Sequence, residues 1–235
     1  MPAAPSPWVT LHLWRVPRRY IPRAALRVAT DARLLRREDG LRFAKVLGTG
    51  DGVTFTPRDA TPTRWGLLTC WSTRQDAADF DRRSPVVGGW EKLAEESFRV
   101  DLRTLQARGR WGGREPFGQV RPAGHDGRIA ALTRARLRAR RARTFYAAVP
   151  AVAAELHRNP GLRYAVGISE APIGLQGTFS IWSSAAALQS FAYAGPQHRI
   201  AIERTPQVGW YREELFARFA VEGGRGTVDG TDPLS

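Results

Sequence analysis

The sequence predicts an α+β fold made of two tandem βαββαβ units, and three observations carry that prediction. The 235-residue chain repeats itself: Gly40-Leu41-Arg42-Phe43-Ala44 recurs as Gly161-Leu162-Arg163-Tyr164-Ala165, the mark of an internal duplication. Within each half, stretches of strand-like period alternate with stretches of helical spacing. The composition, 43% apolar, 10% aromatic and 25% charged, is that of a globular domain and too apolar for disorder.

Carried backwards without gaps, the offset of 121 pairs Leu11 with Leu132, Arg15 with Arg136, Arg19 with Arg140, Ala32 with Ala153, Leu35 with Leu156 and Arg37 with Arg158. Further along, an offset of 111 pairs Gly66 with Gly177, Trp71 with Trp182, Ser72 with Ser183, Phe80 with Phe191 and Pro85 with Pro196. The difference places a 10-residue insertion between positions 48 and 64 of the first half.

Residues 8–16 read as a strand with Val9, Leu11 and Leu13 on one face. Residues 20–36 carry helical spacing through Ala25, Val28, Ala29, Ala32 and Leu35, and Gly40 ends that pattern. Strands follow at 41–47 and 65–72, helix at 74–96 interrupted by Ser84-Pro85, and a fourth strand at 97–107. The second half repeats the order at 129–137, 140–158, 161–169, 176–183, 184–204 and 210–221. Each unit is ferredoxin-like. Two such sheets packed face to face give a domain of the dimeric-α+β-barrel type. The expected division is an N-terminal repeat at 7–108, an Arg/Gly/Pro-rich linker at 109–128, a C-terminal repeat at 129–221 and a flexible tail at 222–235.

Cys70 is the only cysteine, which excludes an intrachain disulfide and a Cys-rich zinc site. Its apolar setting, Leu67-Leu68-Thr69-Cys70-Trp71, suits a structural role. No apolar run approaches the roughly 18 residues of a spanning helix, and the N-terminus lacks a signal-peptide pattern. The expectation is a cytoplasmic protein, with contact at a membrane surface left open. Net charge is +14, a value that in isolation suggests nucleic acid. Only Lys45 and Lys92 among 36 basic residues are lysine, a skew that base composition alone can produce, so the charge is a weak pointer. Arg134, Arg136, Arg138, Arg140, Arg141 and Arg143 cluster around the start of one helix, which suits a solvated face or docking of an acidic partner.

Differences between duplicated halves point to function, because the shared features are what the fold needs. At offset 111, Val87 of the first half becomes His198 in Pro196-Gln197-His198. One imidazole falls short of a zinc site, which takes three or four ligands. It suffices as the single proximal bond that heme iron needs, and it equally suits a satisfied or surface histidine. The insertion Gly48-Thr49-Gly50-Asp51-Gly52 is a flexible loop whose backbone can approach a ligand. It lacks the Lys-Ser/Thr ending of a P-loop, leaving a lid or a plain surface loop. Lys45 at an inward strand position suits pairing with a propionate or polarising a substrate, or it is an exposed strand-end lysine. Gln176, equivalent to Trp65, flanks a turn with Ser169-Glu170-Ala171-Pro172 and suits a distal contact or a turn role. His12, equivalent to Thr133, is expected to line the barrel.

Longer blocks carry a resemblance. Gly40-Leu41-Arg42-Phe43-Ala44-Lys45, Gly48-x-Gly50 and Gly52 through Phe55-Thr56-Pro57 form one. Gly113-Arg114-Glu115-Pro116-Phe117, and Gly167-Ile168-x-Glu170-x-Pro172 through Thr178-Phe179-Ser180-Ile181-Trp182, follow. Gly195-Pro196-x-His198 and Gly209-Trp210-x-x-Glu213-Glu214-Leu215 close the series. Across positions 7–221 the chain resembles the spheroidene monooxygenase family and its actinobacterial members. The resemblance implies a heme b monooxygenase that draws electrons from a ferredoxin and oxygenates a hydrophobic small molecule. It implies a fold like that of chlorite dismutase, dye-decolourising peroxidase and aldoxime dehydratase, with heme in the C-terminal repeat. On it, His198 is the expected axial ligand, oriented by Glu214 or Glu203. Phe191, Arg42 and Arg163 are assigned to the cofactor shell, and Lys45, Gln176 and Thr49 to the distal or propionate side. A homodimer is compatible with this superfamily.

Three rival readings stay open at this level. One keeps the heme but makes the protein a lyase, dehydratase or nitrogen-group-transforming enzyme. One is a cofactor-free monooxygenase with His198 as base. The third is a pair of RNA-binding modules, but the third strands, Gly66 to Trp71 and Gly177 to Trp182, lack the aromatic pattern that such modules stack on bases.

Overall fold

The computed structural model describes residues 6–54, 57–118, 124–170, 175–194 and 208–235. Eight antiparallel strands close into a barrel in the order β1-β3-β2-β6-β7-β5-β8-β4. They are β1 (Trp8–Arg15), β2 (Leu41–Gly50), β3 (Ala60–Trp71), β4 (Glu96–Gly109), β5 (Ile129–Leu137), β6 (Leu162–Ser169), β7 (Leu175–Trp182) and β8 (Tyr211–Gly226). Helices α1 (Ile21–Leu35), α2 (Arg74–Arg83) and α3 (Pro85–Glu91) belong to the first half, and α4 (Ala142–Arg158) and α5 (Ala185–Gln189) to the second. A π-turn at Ser190–Ala194 follows α5.

The two offsets found in the sequence are the registers of the sheet. In the first half Trp8 pairs with Trp71 and Trp14 with Trp65. In the second, Ile129 pairs with Trp182 and Ala135 with Gln176. Both halves place the same irregularity two residues into the second strand, between Leu41 and Phe43 and between Leu162 and Tyr164. Both satisfy the same groups: Ser72 N–H donates to Gly40 O and Ser183 N–H to Gly161 O. The Trp71 and Trp182 indoles donate to Thr69 and Ser180. Gly40 takes φ +72°, where a Cβ would lie 2.5 Å from Asp76, so the turn ending α1 admits only glycine without displacing the α2 capping box.

β1 shows why the core has two layers. Val9, Leu11 and Leu13 join Leu68, Phe98, Val100, Leu132, Phe179 and Phe219 inside the barrel. The alternate residues face the helices, where Trp14 packs with Leu67, Phe80, Val87 and Trp90. The strand is therefore buried on both faces, as sheets covered by helices are. The face that an RNA-binding module would present to bases is the barrel interior here.

Three segments differ from the sequence expectation. The insertion is strand at both ends: β2 runs to Gly50 and β3 starts at Ala60, and Gly48, Thr49 and Gly50 pair with Ser169, Ile168 and Gly167. This pairing is one of two seams between the halves; β4 with β8 is the other. Glycine serves the seam, since a Cβ on Gly167 would meet Gly52 N at 3.0 Å and Gly50 O at 3.1 Å. The expected linker is not a spacer. β4 extends to Gly109, and Trp111 and Phe117 are fully buried in the barrel core, so 110–118 closes the barrel end where β2 begins. Cys70 Sγ donates to Pro116 O beneath it, and burial pushes the thiol up to about 12, an inert group.

Residues 222–235, expected to be a frayed tail, instead close the opposite end. Gly223 to Gly226 pair with Phe98 to Asp101 of β4. Val228 and Leu234 pack on the core. Glu96 accepts hydrogen bonds from Arg15 Nε (3.0 Å), Thr227 Oγ1 (2.9 Å), Asp229 N (3.0 Å) and Gly230 N (2.7 Å). Burial works against the Glu96 carboxylate, but these donors outweigh it and hold its pKa at about 2. Truncation after Gly226 is expected to cost roughly 3 kcal/mol in urea unfolding, because it strips charge-assisted hydrogen bonds and apolar cover together. A midpoint unchanged from the full chain would show that the closure carries no stability.

Candidate functional site

Two places concentrate chemistry, and the sheet separates them. The first is inside the barrel under the 110–118 segment. Lys45 on β2 points inward and bonds Glu170 at 2.5 Å. Arg134 enters from β5 in phase with Ala130 and Leu132; its side chain is 4% exposed. It reaches Glu170 Oε1 through Nη2 (2.7 Å) and Nε (3.1 Å) and also bonds Glu213. Trp111 Nε1 donates to the same Glu170 oxygen at 2.7 Å. The Gly112 and Gly113 amides, from residues at φ +61° and +75°, donate to Glu213 at 2.9 and 2.7 Å. Burial raises both carboxyls, but Lys45 and Arg134 overcome this at Glu170, and the two amides and Arg134 at Glu213, so both lie below the usual range. Two cations and two anions balance, and the guanidinium sits over the Trp111 ring at 5.5 Å. This arrangement holds the segment over the barrel end, and every donor faces a carboxylate already.

The second place is the helix-facing side of the β5–β8 sheet. In the first half the equivalent side is filled. Trp14 stacks on His12 (5.1 Å) and on Trp90 (5.4 Å), with Trp65 6.0 Å from Trp90. His12 does not line the barrel as expected. It is buried under α2, its Nε2 bonded to Asp81 at 3.0 Å, and Arg99 and Arg225 also pair with Asp81. Burial is the main influence and, against the Asp81 carboxylate, holds the His12 pKa below its ordinary value.

In the second half the same sheet positions are stripped. Ala135 stands for Trp14, Gln176 for Trp65, Thr133 for His12 and Thr178 for Leu67. Thr133 is exposed, and Ala131, Ala135 and Thr178 are half-buried. On β8, Arg218 lies opposite Ala131, where Asp101 lies opposite Thr10 in the first half. Gln176 Nε2 contacts the Tyr146 hydroxyl of α4 at 3.1 Å. Glu214 pairs with Ala135 from the other side, so Gln176 and Glu214 flank one small residue. At the far end Phe191 is buried against Trp182, centroids 5.2 Å apart.

The structure thus brings Gln176, Glu214 and Phe191 to one face and puts Lys45 on the opposite one. Thr49 is buried in the seam, its hydroxyl donating to Arg64 O at 2.9 Å. Arg42 and Arg163 are exposed at the starts of β2 and β6, at opposite barrel ends. His198 and Glu203 lie outside the described residues. Val87, the position equivalent to His198, is fully buried on α3 in the cluster containing Trp14 and Trp90. Sequence reasoning missed the Arg134 network and Arg218. The first was signalled by an arginine in phase with Ala130 and Leu132, the second by the exchange of Asp101 for an arginine. Among the described residues no group of three or more His, Cys, Asp or Glu is placed to hold a metal ion.

The closed barrel with helices outside defines an α+β-barrel protein. No family model matches the sequence. The fold is similar to that of two aldoxime dehydratase structures: one at TM-score 0.61 and 13% identity, covering 94% of this chain and 83% of that one, the other at 0.60 and 14%, covering 93% and 80%. Two curated proteins named spheroidene monooxygenase are far closer in sequence. That of Rhodobacter capsulatus is 36% identical over 205 residues, 86% of this chain and 85% of its own length. That of Cereibacter sphaeroides is 38% identical over 194 residues, 82% of this chain, but the match spans only 60% of its length. The chain belongs to the spheroidene monooxygenase family.

Proposed function

We propose that the protein is a heme-dependent monooxygenase whose cofactor lies on the helix-facing side of the second sheet. The observation that carries the reading is the exchange of Trp14 and Trp65 for Ala135 and Gln176 at identical register, within halves otherwise built alike. At the offset that relates Val87 to His198, Trp90 becomes Ala201 as well. Three indoles are absent where the duplicated fold elsewhere needs them, which suits a flat aromatic cofactor. We read the halves as tandem ferredoxin-like units, supported by the matching strand orders β4-β1-β3-β2 and β8-β5-β7-β6.

In this reading His198 is the residue whose imidazole would hold the iron, supported by the burial of its equivalent Val87 against the sheet. Bound heme would supply the iron that activates dioxygen. Gln176 and Glu214 are the polar groups that meet cofactor or ligand beside Ala135. Arg218 is the guanidinium on this face suited to a propionate. One oxygen atom of dioxygen would enter a hydrophobic substrate and the other would leave as water, with two electrons from a ferredoxin-type donor and two protons from solvent.

The test is the absorption spectrum of protein expressed with heme supply. The wild type is expected to show a Soret band, and His198→Ala to lose it or shift it, with imidazole restoring the wild-type position. A His198→Ala protein that keeps wild-type heme content and spectrum would remove the assignment. Dependence of product formation on dioxygen and reductant then separates monooxygenation from lyase chemistry.

A further inference from the structure

The outward face of α1 is built unlike the rest of the surface. The helix buries only Ala24, Asp31 and Leu35. On the opposite side Leu26 is 65% exposed and Leu34 38%; the third exposed large apolar residue among those described, Val53, lies elsewhere. At 100° per residue, Arg33 and Arg23 fall on this same side, and the turns before and after the helix add Arg19 and Arg37, all exposed. None of these four guanidinium groups has a carboxylate partner among the described residues, whereas Arg27, on the inner side, pairs with Asp31. Asp31, the one carboxylate of the helix, is buried and accepts from Trp90 Nε1 at 2.8 Å. Ala29, Thr30, Arg33, Leu34 and Arg37 line a shallow groove along this side.

The duplicated fold does not require this pattern. At the offset of 121 the positions Arg23, Leu26, Arg33 and Leu34 become Thr144, Ala147, Ala154 and Glu155 on α4. Arg19 and Arg37 recur as Arg140 and Arg158, so what sets the first half apart is two leucines and two arginines where the second half carries small or acidic residues.

We propose that this face of α1 docks the protein on an anionic phospholipid bilayer. The charge complementarity is one-sided: guanidinium groups without carboxylates, each able to fork a lipid phosphate. The two projecting leucines stand among them at a depth suited to the acyl boundary, the arrangement of an interfacial helix lying in the membrane plane. The juxtaposition favours a lipid surface over an acidic protein, because Leu26, 65% exposed among unpaired guanidinium groups, needs an apolar layer beside the anionic one. No helix among the described residues is long and apolar enough to cross a membrane, so contact through α1 is peripheral. The inference goes beyond the catalytic reading and does not depend on it.

The test is flotation of the full-length protein with phosphatidylcholine vesicles containing or lacking about 30% phosphatidylglycerol, at low and high salt. Binding to the anionic vesicles alone is expected, weakening as salt is raised. The variant R23E/R33E/R37E is expected to lose binding by at least about tenfold. The control R128E/R140E/R158E carries the same change in net charge at exposed arginines of the second half and is expected to retain most of it. Leu26→Ser is expected to lower binding several-fold at unchanged charge. Equal loss in the two triple variants would overturn the proposal, since the attraction would then follow net charge rather than this face. So would absence of vesicle binding by the wild type. Loss of binding to an acidic ferredoxin in R23E/R33E/R37E with vesicle binding intact would make the face a protein dock and overturn it too. All substituted side chains are solvent-exposed, and circular dichroism of each variant checks that the fold is retained.

Discussion

Ala135→Trp is expected to give a folded protein that no longer takes up heme. The substitution rebuilds at β5 the residue that β1 carries at the identical register, Trp14. Trp14 is buried between sheet and helices and stacks on Trp90 with rings 9° from parallel. In the second half Ala135 is half-buried between Gln176 and Glu214, on a face otherwise made of Ala131, Thr133 and Thr178. An indole added there enters the space assigned to the cofactor. Covering apolar surface, it should leave stability unchanged or raise it by about 1–3 kcal/mol. Heme affinity should fall at least a hundredfold, about 2.7 kcal/mol or more. Hemin titration followed at the Soret band, beside thermal unfolding of the apoprotein, reads both effects. Undiminished heme binding by a stable Ala135→Trp protein would place the cofactor elsewhere. The logic is the reverse of a deletion: loss of binding with gain of cover cannot be ascribed to unfolding.

That experiment is available because the correspondence between the two halves was legible in the sequence. Equal spacing of Trp71, Ser72, Phe80 and Pro85 with Trp182, Ser183, Phe191 and Pro196 fixed the alignment of the halves, and strand register follows alignment because a one-residue slip would exchange core and helix-facing residues. The opaque segments share a cause. The sequences 48–57, 109–128 and 222–235 are rich in Gly, Arg, Pro or Asp, a composition that marks irregular backbone without saying where it packs. Among the described residues, Trp111 and Phe117 were the apolar sign that the linker enters the core, and Val228 and Leu234 the sign for the tail. The sequence leaves Lys45 open between an inward position and an exposed strand end; it is inward, and its partner Glu170 lies 125 residues away, across the seam between halves. No local pattern predicts a pairing of that range. His12 went the other way. Period-2 alternation puts it opposite Leu11 and Leu13, so its helix-facing position beside Asp81 followed from the strand assignment itself.

Arg134→Met is expected to destabilise the protein by about 3–5 kcal/mol at neutral pH, the cost of leaving buried carboxylates without their cation. The guanidinium is 4% exposed and serves two carboxylates at once. Without it Glu170 keeps Lys45 and the Trp111 indole, and Glu213 keeps only the Gly112 and Gly113 amides among these partners. For a chain of this length the melting temperature should fall by on the order of 10 °C. The pH dependence carries the sharper signature. In the wild type both carboxyls are held below their ordinary range. Their contribution is therefore complete above the unfolded pKa and is lost as pH falls through the lower folded value. In Arg134→Met, burial is opposed by fewer donors, so the folded pKa of Glu213 rises and its penalty is relieved as the solution is acidified. The stability gap between the two proteins should accordingly narrow from pH 7 to pH 5, measured by urea unfolding at both values. Adding Glu213→Gln to Arg134→Met should recover part of the loss at pH 7, because a neutral amide removes the stranded charge while still accepting from the glycine amides. A gap of constant size across that range, with no recovery in the double variant, would mean that Arg134 acts through packing against Trp111 and not through its charge. The 110–118 segment would then be held over the barrel by its own buried aromatics, Trp111 and Phe117, with the ionic network adding nothing.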